Sequence, residues 1–67
     1  MINAVFLAEL EQFAARLAEI RQARAASYDD VSAATGVAKS ALWRIEHGQA
    51  SPSLNTTARI VRWMLEG

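Results

Sequence analysis

Apolar residues recur along this chain at helical intervals, and no stretch alternates with the two-residue period of a strand. Phe6, Leu10, Phe13, Leu17 and Ile20 are spaced four, three, four and three apart, a single stripe along a long first helix. Asn3 is placed to cap it, the many alanines favour it, and it is expected to run to about Arg24 and end at Ala25-Ala26. Ser27-Tyr28-Asp29-Asp30 has the S-x-x-acid form of a capping box and opens a second helix, with two aspartates at the positive end of its dipole. Gly36 stops that helix early, because glycine accepts the left-handed conformation of a helix end. A third helix is expected from about Ala38 to His47, closed by Gly48. Its inward positions are Ala38, Ala41, Leu42 and Ile45, and Lys39, Ser40, Trp43, Arg44 and His47 share the other side. Ser51 as cap and Pro52 as first helical residue predict a fourth helix, with Leu54, Ala58, Val61 and Leu65 as its inward row and Met64 beside them. The fold expected is all-α, a compact four-helix bundle-like domain with a long first helix. One domain covers residues 1–67, with 1–16 as an N-terminal helical extension.

Composition narrows the class. At 67 residues and 52 % hydrophobic, the chain is too apolar to stay disordered and short enough that its core is small. The absence of cysteine removes disulfides and thiolate metal sites. Glu9, Glu11, Arg16 and Glu19 interrupt the N-terminal apolar stretch, which therefore does not read as a membrane span; it also lacks the basic start and small-residue cleavage site of a signal peptide, and a cytoplasmic location is expected. Seven basic and seven acidic residues give a net charge of zero, which at first argues against a polyanionic partner. The zero is a sum of unlike blocks. Glu9 and Glu11 make residues 1–15 acidic, and Asp29 and Asp30 do the same for 25–36. Arg16, Arg21 and Arg24 outweigh Glu19, and Lys39, Arg44, Arg59 and Arg62 outweigh Glu46 and Glu66. A polyanion responds to the field of one face and not to the total.

The segment 27–47 is a short helix, a glycine turn and a helix with a polar outer face. This is helix-turn-helix geometry, in which the second helix of the pair enters the major groove. Within Leu17 to Met64, 48 of the 67 residues, an ordered set of motifs stands at ungapped spacings. It comprises L-x-x-I-R-x-x-R at Leu17–Arg24, Ser27, T-G-V at Thr35–Val37, R-I-E-H-G at Arg44–Gly48, and Pro52 four residues later. In these motifs the chain resembles the Cro/C1-type (XRE-like) helix-turn-helix family, and the resemblance implies a lambda-repressor-like DNA-binding fold. It further implies that Lys39, Ser40, Trp43 and Arg44 read base edges. Arg44 suits guanine O6 and N7, Lys39 the same acceptors or a phosphate, and Trp43 a thymine methyl or a sugar edge. Tyr28 occupies a position from which the family touches phosphate, and its hydroxyl is a donor for that purpose. His47 is a second phosphate candidate at the helix end. Arg21 and Glu46 match the family's internal ion pair. Ala38 departs from the family pattern, in which a serine or threonine caps the recognition helix.

The remaining chemistry is sparse. His47 is the single histidine, and with no second histidine or cysteine to chelate beside it neither a metal nor another cofactor is expected. No nucleophile elbow and no phosphate-cradling glycine loop marks an enzyme. Ile2, Val5 and Phe6 supply apolar area on more than one face of the N-terminal stretch, Ile60 and Trp63 point away from the main inward row of the last helix, and these five are assigned to a two-fold dimer interface. The reading is a DNA-binding transcriptional regulator, a homodimeric repressor of a palindromic operator in double-stranded DNA. Two alternatives stay open, a helix-turn-helix module that binds a protein and a DNA-binding antitoxin that holds a partner protein.

Overall fold

In the computed structural model four helices follow in order, α1 Ala4–Ala23, α2 Tyr28–Thr35, α3 Lys39–Glu46 and α4 Leu54–Glu66. The structure describes residues 4–66, with side chains from residue 8 onward, and every regular element among them is a helix. The expected cap Asn3, Ile2, and the side chains of Val5 and Phe6 lie outside the described residues. α3 packs against α1 and α2, and α4 packs against the same two helices from its own side. Leu17, Val31, Val37, Leu42, Ile45 and Ile60 meet in the core, with Phe13, Ala26, Tyr28, Ala41, Trp63 and Met64 packed around them.

Each helix end has a local cause. The N–H of Ala26 donates to the Arg21 carbonyl at 2.9 Å and that of Ala25 to Gln22 at 3.0 Å, closing α1 with the paired bonds of a Schellman turn. That turn needs a left-handed residue, and Ala25 supplies it at φ +52°, where a glycine would sit without strain. At α2 the capping box is complete. Ser27 Oγ accepts from the Asp30 N–H at 3.0 Å, and the Asp30 carboxylate accepts from the Ser27 N–H at 2.9 Å. The bond from the Ser27 N–H and, after it, the Ser27 hydroxyl hold the Asp30 carboxyl below its ordinary pKa. Gly36 ends α2 at φ +77°, its N–H on the Ser32 carbonyl at 2.8 Å. A Cβ at Gly36 would lie 3.1 Å from Arg59 Nη1, so the turn is closed from above by a side chain of α4.

Two expectations about α3 and α4 change. Ala38 is exposed, because it stands before the first turn of α3 and its side chain has left the buried face. In α4 the capping serine is Ser53 and not Ser51. Ser53 Oγ accepts from the Thr56 N–H at 3.1 Å and donates to Thr56 Oγ1 at 3.0 Å, a double contact with one side chain. Pro52 therefore precedes the cap. The rotation of α4 also differs. Ile60 is fully buried, with Trp63 and Met64 beside it, while Leu54 and Leu65 of the expected inward row stand in solvent. Ile60 and Trp63, assigned to a dimer interface, are thus part of the monomer's own packing. α4 carries two apolar rows, and periodicity cannot choose between them. Arg24 favours the observed one, since its guanidinium lies 4.5 Å from the Trp63 ring centroid and donates to the carbonyls of Trp63 and Met64 at 2.9 and 2.8 Å.

The left-handed alanine yields a stability prediction. Such a conformation costs a non-glycine residue about 1–2 kcal/mol, and the extra freedom of glycine in the unfolded chain returns about 0.4–1 kcal/mol of that. Ala25→Gly should therefore stabilise the domain by about 0.5–1 kcal/mol, read as a higher urea midpoint at unchanged slope. A lower midpoint would show that Ala25 packs usefully where it stands.

Candidate nucleic-acid interface

Burying Leu42 and Ile45 turns the opposite side of α3 outward, because residues three and four apart share a helix face. Lys39, Ser40, Trp43, Arg44 and His47 are all exposed on that side. The structure thus brings the four expected base-reading residues and His47 onto one continuous surface. Trp43 and His47, one turn apart, stack with ring centroids 4.0 Å apart and planes 16° from parallel. His47 Nδ1 lies 2.8 Å from the Trp43 carbonyl oxygen, which makes Nδ1 the donor and leaves Nε2 for another partner. Arg44 has no ion-pair partner among the described residues. Lys39 Nζ is 3.2 Å from Asp29 Oδ1, a contact between two exposed side chains of α3 and α2. Ala38 gives α3 no side-chain cap, so its first-turn amides face solvent with the positive end of the dipole.

Behind this face lies a buried tie. Arg21 Nε donates to Glu46 Oε2 at 2.8 Å and Nη2 to Oε1 at 3.0 Å, a two-pronged bond between α1 and the last turn of α3. The Arg21 and Glu46 side chains keep 16 % and 4 % of their exposure, so the Glu46 carboxylate in particular is withdrawn from solvent. Arg21 Nη1 also reaches the Ala26 carbonyl at 3.3 Å. The bond to Glu46 raises the Arg21 pKa above its ordinary value, against the opposing effect of burial. The expected internal ion pair is therefore present.

Tyr28, expected to touch phosphate, joins this tie. Its hydroxyl donates to Glu46 Oε1 at 2.9 Å, and its ring lies 4.3 Å from the Arg21 guanidinium carbon. A phenol has one proton to donate, and in this structure Glu46 accepts it. Burial raises the Tyr28 pKa above 10.0, and the bond to Glu46 raises it further.

Two contributors escape a reading of the residues alone. Thr35 is buried, its Oγ1 donating to the Val31 carbonyl at 2.7 Å and accepting the Val37 N–H at 3.1 Å, so one hydroxyl stitches the turn between α2 and α3. A threonine before a helix-ending glycine and four residues after a core valine is the signal that would have found it. Asp29 is the other. Its partner Lys39 is ten residues away and meets it only once α2 and α3 have docked.

Two measurements check this arrangement. Arg21→Ala leaves the Glu46 carboxylate buried without its counter-charge and should cost about 3–5 kcal/mol, the range for breaking such a pair. For a domain of this size that means loss of most helical signal at room temperature. Tyr28 is the one tyrosine, so tyrosinate absorbance reports it alone. With its folded pKa raised, the phenol adds stability that is complete below pH ~10 and is lost as pH rises through the folded value. The transition should therefore lie above that of a free tyrosine. An unshifted transition in the wild-type protein would remove Tyr28 from the tie.

Among the described residues no helix is long and apolar enough to cross a membrane, and no group of three or more acidic or histidine side chains is placed to hold a metal ion. No curated protein and no solved structure matches the chain. A family model does, that of a helix-turn-helix domain, over residues 12–63. The matched span runs from the middle of α1 to Trp63, and so takes in the Arg21–Glu46 tie, the glycine turn and the whole outer face of α3. By that match and this geometry, the chain belongs to the helix-turn-helix domain family.

Proposed function

We propose that the protein is a sequence-specific transcriptional regulator of the Cro/C1 type, a homodimeric repressor that sets α3 into the major groove at each half of a palindromic operator. The observation that carries this reading is the contrast across α3. Its inner end is clamped by a buried ion pair, and its outer face offers Lys39, Ser40, Trp43, Arg44 and His47 to solvent. Rigid placement of a few donors is what groove recognition requires, since base edges are read by short, directed hydrogen bonds. Arg44 takes guanine O6 and N7. Lys39 and Ser40, one turn nearer the helix start, reach a neighbouring base or phosphate. The stacked Trp43 and His47 rings form an apolar slab for a thymine methyl or sugar edge, and His47 Nε2 is available to a phosphate. Two such faces suit half-sites about one DNA turn apart, ~34 Å. No enzymatic step and no cofactor enters this reading, and its site of action is the cytoplasm.

Asp29 tempers the face. An exposed pair of this kind is worth about 0.2–1 kcal/mol, and DNA must displace the carboxylate before Lys39 reaches it. Asp29→Asn should therefore tighten binding to all duplexes alike, by up to about fivefold, and steepen the salt dependence.

Selection of bound sites from random duplexes at fixed salt, followed by gel-shift titration, tests the assignment. Arg44→Ala should weaken the selected site by about 1–3 kcal/mol and relax sequence choice at one base pair per half-site. Lys39→Ala should act mainly on affinity. Unchanged operator binding in the double variant Lys39→Ala, Arg44→Ala would overturn the assignment of this face. The competing reading, a module that binds a partner protein or an antitoxin that binds both, separates by ionic strength. DNA binding weakens steeply with salt through counterion release, and an apolar protein contact does not.

A further inference from the structure

Helix α4 carries an apolar row that the monomer leaves uncovered. Leu54, Ala58, Val61 and Leu65 recur at intervals of four, three and four, on the side of the helix turned away from Ile60 and Trp63. Leu54 is 88 % exposed and Leu65 81 %. Single exposed leucines are ordinary on a protein surface. Here the two stand at opposite ends of one shallow groove, floored by Ala58 and Val61.

Three features of the row favour a second copy of the same helix as its occupant. Its spacing is that of a coiled-coil seam and reads the same from either end, as a two-fold interface requires. Laid antiparallel about a point between Arg59 and Ile60, Leu54 meets Leu65 of the second copy and Ala58 meets Val61. The small Ala58 at the centre then lets the backbones approach closely. The seam holds no charge. Arg62 on its flank already has Glu66 as counter-ion at 3.0 Å, and in this register it faces Asn55 of the second copy instead of another cation. Antiparallel pairing also sets the two helix dipoles in opposition.

We propose that two copies of the chain pair through this row, α4 against α4 and antiparallel. The proposal rests on the homodimer of the preceding section and gives it a surface different from Ile60 and Trp63. A contact between two helices of 13 residues buries less than the ~1,200–2,000 Å² of a standard interface. The free dimer is accordingly weak, in the micromolar range or above, and binding to adjacent half-sites strengthens it by raising the effective concentration.

Sedimentation equilibrium of the full chain over ~1 µM to ~1 mM brackets such an affinity. The wild type should pass from monomer to dimer with concentration. Leu65→Glu and Leu54→Lys should each weaken pairing by about a hundredfold or more, with circular dichroism unchanged, because both side chains stand outside the core. The double variant Leu54→Lys, Leu65→Glu should regain the dimer, since antiparallel register sets each lysine against a glutamate of the other copy. A wild type that stays monomeric across the range would overturn both the pairing and the homodimer. Dimerisation undiminished in Leu65→Glu would overturn this surface and leave the homodimer standing. Singles and double alike monomeric would overturn the antiparallel register.

Discussion

The bond between Arg21 and Glu46 is the constraint on which the rest of the arrangement depends. α3 has only eight residues, too few to persist as a helix in water without tertiary contacts. Leu42 and Ile45 give it a hydrophobic footing on the core, and apolar contact alone permits sliding and rocking. The two-pronged bond does not, because both oxygens of Glu46 are committed to fixed donors, two on Arg21 and one on Tyr28. Buried charges that lose a partner are costly, so alternative placements of α3 are penalised more heavily than the pair itself stabilises the native one. The tie contributes uniqueness more than depth, and uniqueness is what the proposed reading surface needs.

That tie also explains how an electrically neutral chain can present a binding face to a polyanion. Arg21 and Glu46 cancel inside, Arg16 pairs with Glu19, and Arg62 pairs with Glu66. Asp30 is held at the cap of α2. What stays outward on α3 is Arg44, Lys39 under the partial hold of Asp29, and the polar edge of His47. A surface with so few free cations releases few counterions, so its non-specific attraction to DNA is modest and discrimination falls to directed contacts. Asp29 lowers the non-specific share further without standing in the way of Arg44.

Features with a local physical cause were legible in the residues. Ser27 with Asp30, Gly36 and Gly48 announced helix ends through backbone chemistry that acts within a few positions, and the outward side of α3 followed from Leu42 and Ile45. The Arg21–Glu46 pair, although separated by 25 residues in the chain, was accessible through the motif that contains it. Features decided by docking were not. Tyr28 carries a hydroxyl suited to either a phosphate or a carboxylate, and only the position of Glu46 selects between them. Ala25 holds a conformation that composition would assign to glycine, because the Schellman bonds and the burial of Ala26 behind them outweigh its strain. α4 offered two rows of similar apolar content, and the choice fell to Arg24, whose bonds to the last carbonyls orient the helix from outside the pattern.

The second row of α4 has a cause in the size of the domain. Among the described residues six apolar side chains make up the buried core, so the folded state has a small margin over the conformational entropy that opposes it. Further apolar area is placed on the outside of α4. Such area adds stability when a second surface covers it, and in the proposed dimer it links that stability to association. In the proposed dimer, two faces bound at once multiply the discrimination that one face supplies only in part.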